Sequence, residues 1–260
     1  MPIITLTSDL GTQDFYLAAI KGTLLSNFKD VQVVDITHQI PNFDIFKAAE
    51  TLNHSFQFFP EGTIHCVLVN TQSHLKAPIL LCKYKGHYFM GPDNGLFSFL
   101  FAEMPEQMLS LNENSNTLKF TFPFLDLYLP GLKTLIQGDM PALIGTEVDD
   151  YVRKNPFNSF GVEDKVHGYI WHIDKFGNCI SNINKALFDR VAKGQAFLID
   201  IKGHQATSMI THYDEKSGGG MLVFFNFLGL LEFAISNGSA TQLLGLNRND
   251  KVIIRFGNAI

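Results

Sequence analysis

The opening third of the chain alternates short β-rich runs with helical apolar patterns, and that order narrows the fold more than anything else in the sequence. Residues 2–6 form a β-rich run that ends in the turn-forming Ser8-Asp9-Leu10-Gly11-Thr12. Over residues 14–25, Phe15, Ala18, Ala19, Leu24 and Leu25 predict a helix, with Asp14 near its start where a carboxylate suits the helix dipole. Residues 31–36 read as a second strand, and Pro41-Asn42-Phe43-Asp44 opens a second helix through Lys47, Ala48, Ala49 and Leu52. Residues 64–69 are apolar without alternation, as expected of a strand covered on both faces. Strand and helix in alternation predict an α/β domain with a mostly parallel sheet and flanking helices.

Residues 78–84 and 87–90 then read as a hairpin about Lys85-Gly86, and Pro92-Asp93-Asn94-Gly95 carries strong turn chemistry. The texture changes after about residue 155. Strand-like runs at 166–173, 196–201, 221–227 and 251–256 are separated by Gly-rich turns such as Ser217-Gly218-Gly219-Gly220, and long helical patterns are scarce. We therefore expect an α/β domain over residues 1–152 and a smaller all-β domain over 160–260, joined through Arg153-Lys154-Asn155-Pro156.

Composition excludes some classes. With 46% hydrophobic residues, 17% charged residues and a net charge of -5, the chain reads as globular and lacks the basic footprint of a nucleic-acid binder. No apolar run approaches the roughly 18 residues that cross a bilayer, and the N-terminus has no signal-peptide pattern. Cys66, Cys82 and Cys179 sit in apolar settings without paired spacing, which predicts reduced core thiols and a cytoplasmic protein. The nine histidines never fall into a metal-ligand spacing with Cys or a carboxylate, so neither a metal nor another cofactor is expected. There is no dinucleotide fingerprint, P-loop or G-x-S-x-G elbow.

Two short stretches can carry a site. Asp9 ends the first strand, where a carboxylate can accept both hydroxyls of a ribose; the competing reading is an acid that caps its own turn. Asp174-Lys175-Phe176-Gly177-Asn178 offers an anion, an aromatic face and an amide, the groups that hold an ammonium, stack on a purine and read its edge. A plain β-turn is the alternative there. Asp35-Ile36-Thr37-His38 ends the second strand, and His38 reads most simply as structural.

These pieces in this order resemble the S-adenosylmethionine hydroxide adenosyltransferase family, the adenosine-forming S-adenosylmethionine hydrolases and their fluorinase and chlorinase relatives. The matching stretches include Thr7-Ser8-Asp9-Leu10-Gly11 with Asp14 and Tyr16, Asp35-Ile36-Thr37-His38 with Pro41 and Asp44, and Phe59-Pro60-Glu61-Gly62-Thr63. Gly91-Pro92-Asp93-Asn94-Gly95, Ile173-Asp174 with Phe176-Gly177-Asn178, and Leu231-Glu232 continue the series over nearly the whole chain. The resemblance implies a homotrimer in which each site lies between the first domain of one subunit and the second domain of its neighbour. It implies that Asp9 holds the ribose diol, that Asp174 meets the methionine ammonium, and that Phe176 and Asn178 contact the adenine end. The implied reaction is displacement of methionine at the ribose 5′ carbon by water or hydroxide, giving adenosine and methionine.

The family's water-activating Asp, Arg and His fall here on Asn70, Ala77 and Pro123. An amide is no base near neutral pH, so His74 and Lys76, in the same loop as Asn70, are the remaining candidates to assist water. The Ser-rich turn before the family's Leu-Glu is replaced by Asn226-Phe227-Leu228-Gly229. Two expectations follow: a hydrolase with altered water activation, or a protein that binds S-adenosylmethionine or adenosine and has lost the reaction.

Overall fold

The structure is a computed structural model that describes residues 1–71, 77–111, 122–138, 144–155, 158–210 and 220–257. It divides into two compact units, Met1–Pro156 and Phe157–Ile260.

The first unit is built on β1 (Ile3–Ser8), α1 (Phe15–Asn27), β2 (Gln32–Thr37), α2 (Ile45–Asn53) and β3 (Ile64–Leu68). There follow β4 (Ile79–Tyr84), β5 (His87–Pro92), the short α3 (Phe97–Leu100), β6 (Gln107–Leu111), α4 (Leu129–Gln137) and β7 (Gly145–Glu147). The strands make one sheet in the order β2-β1-β3-β5-β4-β6-β7. β2, β1, β3 and β5 run parallel, while β4 is antiparallel to β5 and β6, and β6 to β7. The sheet is therefore mixed and not mostly parallel as the alternation predicts. The cause is local. Lys85 and Gly86 both have positive φ, 49° and 75°, the backbone of a two-residue hairpin turn. A connection that short can only return the chain antiparallel.

All of β3 is buried, and its neighbouring residues face two cores. Cys66 and Leu68 pack with Ile4, Leu6, Leu17, Ile20 and Leu24 on the α1 side, and Val67 and Val69 with Ala48, Ala49, Leu52 and Phe97 on the α2 side. Burial pushes the Cys66 thiol up to about 12, so it is an inert core group. α2 begins where Asp44 accepts the Lys47 amide proton at 2.8 Å as its N-cap, in the stretch expected to open this helix. α1 is apolar nearly all round. It buries Leu17, Ile20 and Leu24 and leaves Phe15 and Leu25 exposed, so the predicted helix is present with a different inward face.

The second unit is β8 (Phe160–Val162), β9 (Lys165–Ile173), β10 (Cys179–Asn184), α5 (Lys185–Ala192), β11 (Phe197–Ile201) and β12 (His204–Ala206). It continues with β13 (Met221–Phe225), β14 (Leu230–Ile235), α6 (Ala240–Leu244) and β15 (Lys251–Phe256). The strand order is β12-β11-β15-β9-β10-β14-β13 with β8 on β9, every pairing is antiparallel, and the outer strands β12 and β13 approach each other so that the sheet nearly closes. Its core gathers Val166, Ile170, Leu231, Phe233, Val252 and Ile254. Cys66, Cys82 and Cys179 are all buried and free. No helix among the described residues is long and apolar enough to cross a membrane.

Candidate functional site

The C-terminal ends of the parallel strands bring together residues far apart in sequence. Asp9 follows β1 directly and is half-buried. Its Oδ2 accepts two backbone amide protons, from Phe43 at 2.9 Å and from Asn70 at 3.2 Å. Asp9 is therefore not the cap of α1; it joins the loops after β2 and β3. Both donors have left-handed backbone, φ 66° at Phe43 and φ 53° at Asn70. Asparagine tolerates that conformation, but a phenylalanine there is strained and needs holding. Among the described residues, Oδ1 of Asp9 takes no hydrogen bond, so the carboxylate keeps acceptor capacity for a ligand.

Aromatic side chains occur both in the loop and helix that follow β2 and on α1. Phe43 is 61% exposed, and Phe46 packs edge-on against Phe99. On α1, the Tyr16 ring lies tilted 4.5 Å from that of Phe15 and 6.0 Å from that of Phe122. Sequence reading missed Phe43 as a candidate because nothing local distinguishes it from any loop phenylalanine. The usable signal was its place directly before the N-cap Asp44, in a loop that must return to the strand tips.

The three substituted positions differ in setting. Asn70 gives its amide proton to Asp9. Ala77 is buried. Pro123 opens a π-helical turn, Phe124–Tyr128, that leads into α4. Pro130, just inside α4, has no N–H to continue a regular ladder, which suits a π-turn there. Tyr128 of that turn is fully buried and donates its hydroxyl proton to Val67 O at 2.7 Å, fastening the turn to the end of β3. Burial, and then the neighbouring Cys66, push this phenol well above its ordinary value, so it is a donor and not an acid. His74 and Lys76 lie outside the described residues. Asp93, after β5, is raised by burial despite the amide proton it accepts from Val152 at 2.8 Å.

The second unit presents the other predicted stretch as a tight turn between β9 and β10. Asp174 Oδ1 accepts the amide protons of Phe176 and Asn178, each at 2.9 Å, and Oδ2 accepts from Asn178 Nδ2 at 3.0 Å. Asn178 is thereby buried, whereas Phe176 is displayed, 77% exposed. Gly177 has φ 83°, and a Cβ there would run into Ser239, so only glycine fits. The arrangement is an acid, an aromatic face and an amide in one rigid turn. Further along, Asn226 holds the β13–β14 turn by accepting from Leu228 N and Leu230 N and donating to Glu232. No cluster of His, Cys, Asp and Glu among the described residues could hold a metal ion.

An α/β unit with a carboxylate at the tip of its first strand, followed by a small antiparallel unit with an acid–aromatic–amide turn, defines a two-domain α/β-plus-β protein. Residues 4–145 match the family model of the SAM hydroxide adenosyltransferase N-terminal domain, and residues 168–253 that of the C-terminal domain. The chain belongs to the SAM hydroxide adenosyltransferase family. It is 28% identical over 271 residues to an (R)-S-adenosyl-L-methionine hydrolase of Methanocaldococcus jannaschii, covering 98% of this chain and 97% of the relative. A Thermus thermophilus protein of the same name is 26% identical over 92% of this chain and 94% of its own. A crystal structure of an uncharacterized conserved protein from Thermotoga maritima shares the fold, with a TM-score of 0.87 over 97% of this chain and 99% of that one, at 23% identity.

Proposed function

We propose that the chain is an S-adenosyl-L-methionine hydrolase, in which water or hydroxide displaces methionine at the ribose 5′ carbon to give adenosine and L-methionine. The single observation that carries the reading is the Asp9 carboxylate, clamped on one oxygen and open on the other, at the strand tips of a chain similar over its full length to hydrolases of that name. In this reading Asp9 accepts the ribose diol, Asp174 meets the ammonium, and Phe176 and Asn178 receive the adenine. A carboxylate has about four lone-pair sites, so the three donors already on Asp174 leave it one acceptor position for a cation. Sulfonium cleavage by hydroxide neutralises charge, so the protein's tasks are to place the water behind the carbon and to keep the site dry. A homotrimer, with the second unit of one copy completing the site of the next, belongs to the same proposal, as does a cytoplasmic location.

A second reading, a binding protein that kept the nucleoside half, draws on Asn70. Its amide proton serves Asp9, and its side chain has no basicity for a water. General acid–base help is worth about 10²–10⁴-fold, so its loss leaves a slow enzyme or none. Incubation with S-adenosylmethionine decides between them. Release of adenosine that Asp9→Ala abolishes supports the hydrolase, a complex without adenosine supports the binding protein, and the absence of both release and complex overturns the two readings together.

A further inference from the structure

Behind Asp9 runs a line of polar side chains that the reaction does not use. Ser8, directly before Asp9, is completely buried, and its Oγ lies 2.7 Å from Nδ1 of His38. His38 is 4% exposed, and its Nε2 lies 3.1 Å from Asp35 Oδ1, close enough for charge attraction though off the axis of an aligned hydrogen bond. The other oxygen of Asp35 holds Lys21 on α1. Burial pushes the Asp35 carboxyl up, but the hydrogen bond from Lys21 and the attraction of His38 outweigh it and keep the group below its ordinary value. The main chain doubles the link, since Gly11 N–H donates to His38 O at 2.9 Å and Ile40 N–H to Ser8 O at 3.3 Å.

Lys, Asp, His and Ser in series have the look of a nucleophile relay, but the hydroxyl is sealed from solvent and cannot meet a substrate. The direction of the line gives its role. With its proton on Nε2, toward the carboxylate, the imidazole accepts from the Ser8 hydroxyl at Nδ1. Ser8 Oγ in turn accepts from Leu10 N–H at 3.4 Å, on the far side of Asp9. Through the Ser8 side chain, the peptide after Asp9 is thus tied to one buried imidazole. We infer that His38 is a positioning residue that, through Ser8, aims the Asp9 carboxylate at the Phe43 and Asn70 amides and so sets the ligand-facing oxygen. Only its consequence for binding rests on the proposed nucleoside site.

The experiment is hydrogen exchange by NMR on the unliganded full chain, followed by adenosine titration. His38→Leu accelerates exchange of the Phe43 and Asn70 amides by about tenfold, as loss of one ordinary hydrogen bond would, while the amides of β4 and β5 keep their protection. Asp35→Asn, on the partly exposed end of the line, gives a smaller change at the same two amides and covers the case in which His38→Leu does not fold. His38→Asn, whose side-chain oxygen can still accept from Ser8, recovers part of the protection. Unchanged exchange at Phe43 and Asn70 in Asp35→Asn and His38→Leu, or equal acceleration throughout the first unit, overturns the inference. Adenosine affinity then separates this from the functional reading. If Asp9→Asn binds adenosine as well as the native chain, the ribose assignment falls while the exchange result stands. If Asp9→Asn weakens binding and His38→Leu does not, the positioning role falls and the site survives.

Discussion

Asp9 Oδ2 takes the amide protons of residues 34 and 61 positions further along the chain, and both donors sit in left-handed backbone. Hydrogen bonds to a charged acceptor contribute about 1.5–3 kcal/mol each when removal leaves the donor unpaired, less where water can replace it. Asp9→Ala is therefore expected to lower the unfolding free energy by about 2 kcal/mol, read as a fall in the urea midpoint at constant m, with Asp9→Asn losing less because it keeps an acceptor. Asn70→Gly tests the donor side of the same bond. It removes the left-handed penalty and keeps the N–H to Asp9, so Asn70→Gly is expected to lose less stability than Asp9→Ala in the same titration. At this scale the sequence is half legible. A strand-tip acid followed by Gly11 and a helix marks Asp9 as special, and an Asp-x-Phe-Gly-Asn turn marks Asp174. That Asp9 would spend one oxygen on two distant amides is a long-range fact that no local pattern encodes.

Among the elements, β3 and β5 share a titratable pair, His65 and His87, that their apolar runs conceal. His65 accepts or donates at 2.7 Å with Thr5 Oγ1 and lies 3.3 Å from Nδ1 of His87, inside a cage of Phe56, Phe59 and Phe89. Burial, and then His87, hold the His65 imidazole down at about 3; burial lowers His87 as well, against the pull of Glu61. An unfolded histidine titrates near 6.5, so below that pH the unfolded chain binds more protons than the fold does. The stability from these neutral rings is whole above about pH 6.5 and drains as pH falls toward 3, at up to about 1.4 kcal/mol per pH unit for each proton. His65→Gln flattens that slope, and urea midpoints across the acid range test it. Gly86→Ala tests the hairpin: φ 75° and a Cβ 3.1 Å from Glu61 predict a loss of about 1 kcal/mol or more. The dipeptide Lys85-Gly86 was readable as a turn, and it already implied antiparallel pairing, yet the alternation upstream outweighed it in the expected sheet. α1 shows the opposite failure. Its apolar residues are spread around the axis, so periodicity found the helix and could not choose Leu17, Ile20 and Leu24 as the buried ones.

For the whole molecule, the expected trimer with shared sites makes a sharp demand. Asp9→Ala and Asp174→Ala subunits, each inactive alone, should regain about a quarter of native turnover when unfolded and refolded together at equal amounts, because random closed rings place one intact pair at one boundary in four. Recovery near zero would show that both residues must come from the same copy. The order of units was legible in the change from helical periods to Gly-punctuated strands, whereas α5 and α6, at eight and five residues, were too short for a period to register. The double duty of Asp9 has one more consequence. A lineage drifting away from its reaction sheds residues whose only task is chemistry, but an acid that keeps two bent loops in shape is retained by selection for foldedness alone. Family members stripped of their water-handling groups should therefore still carry this aspartate, as an heirloom of architecture whether or not a nucleoside ever arrives.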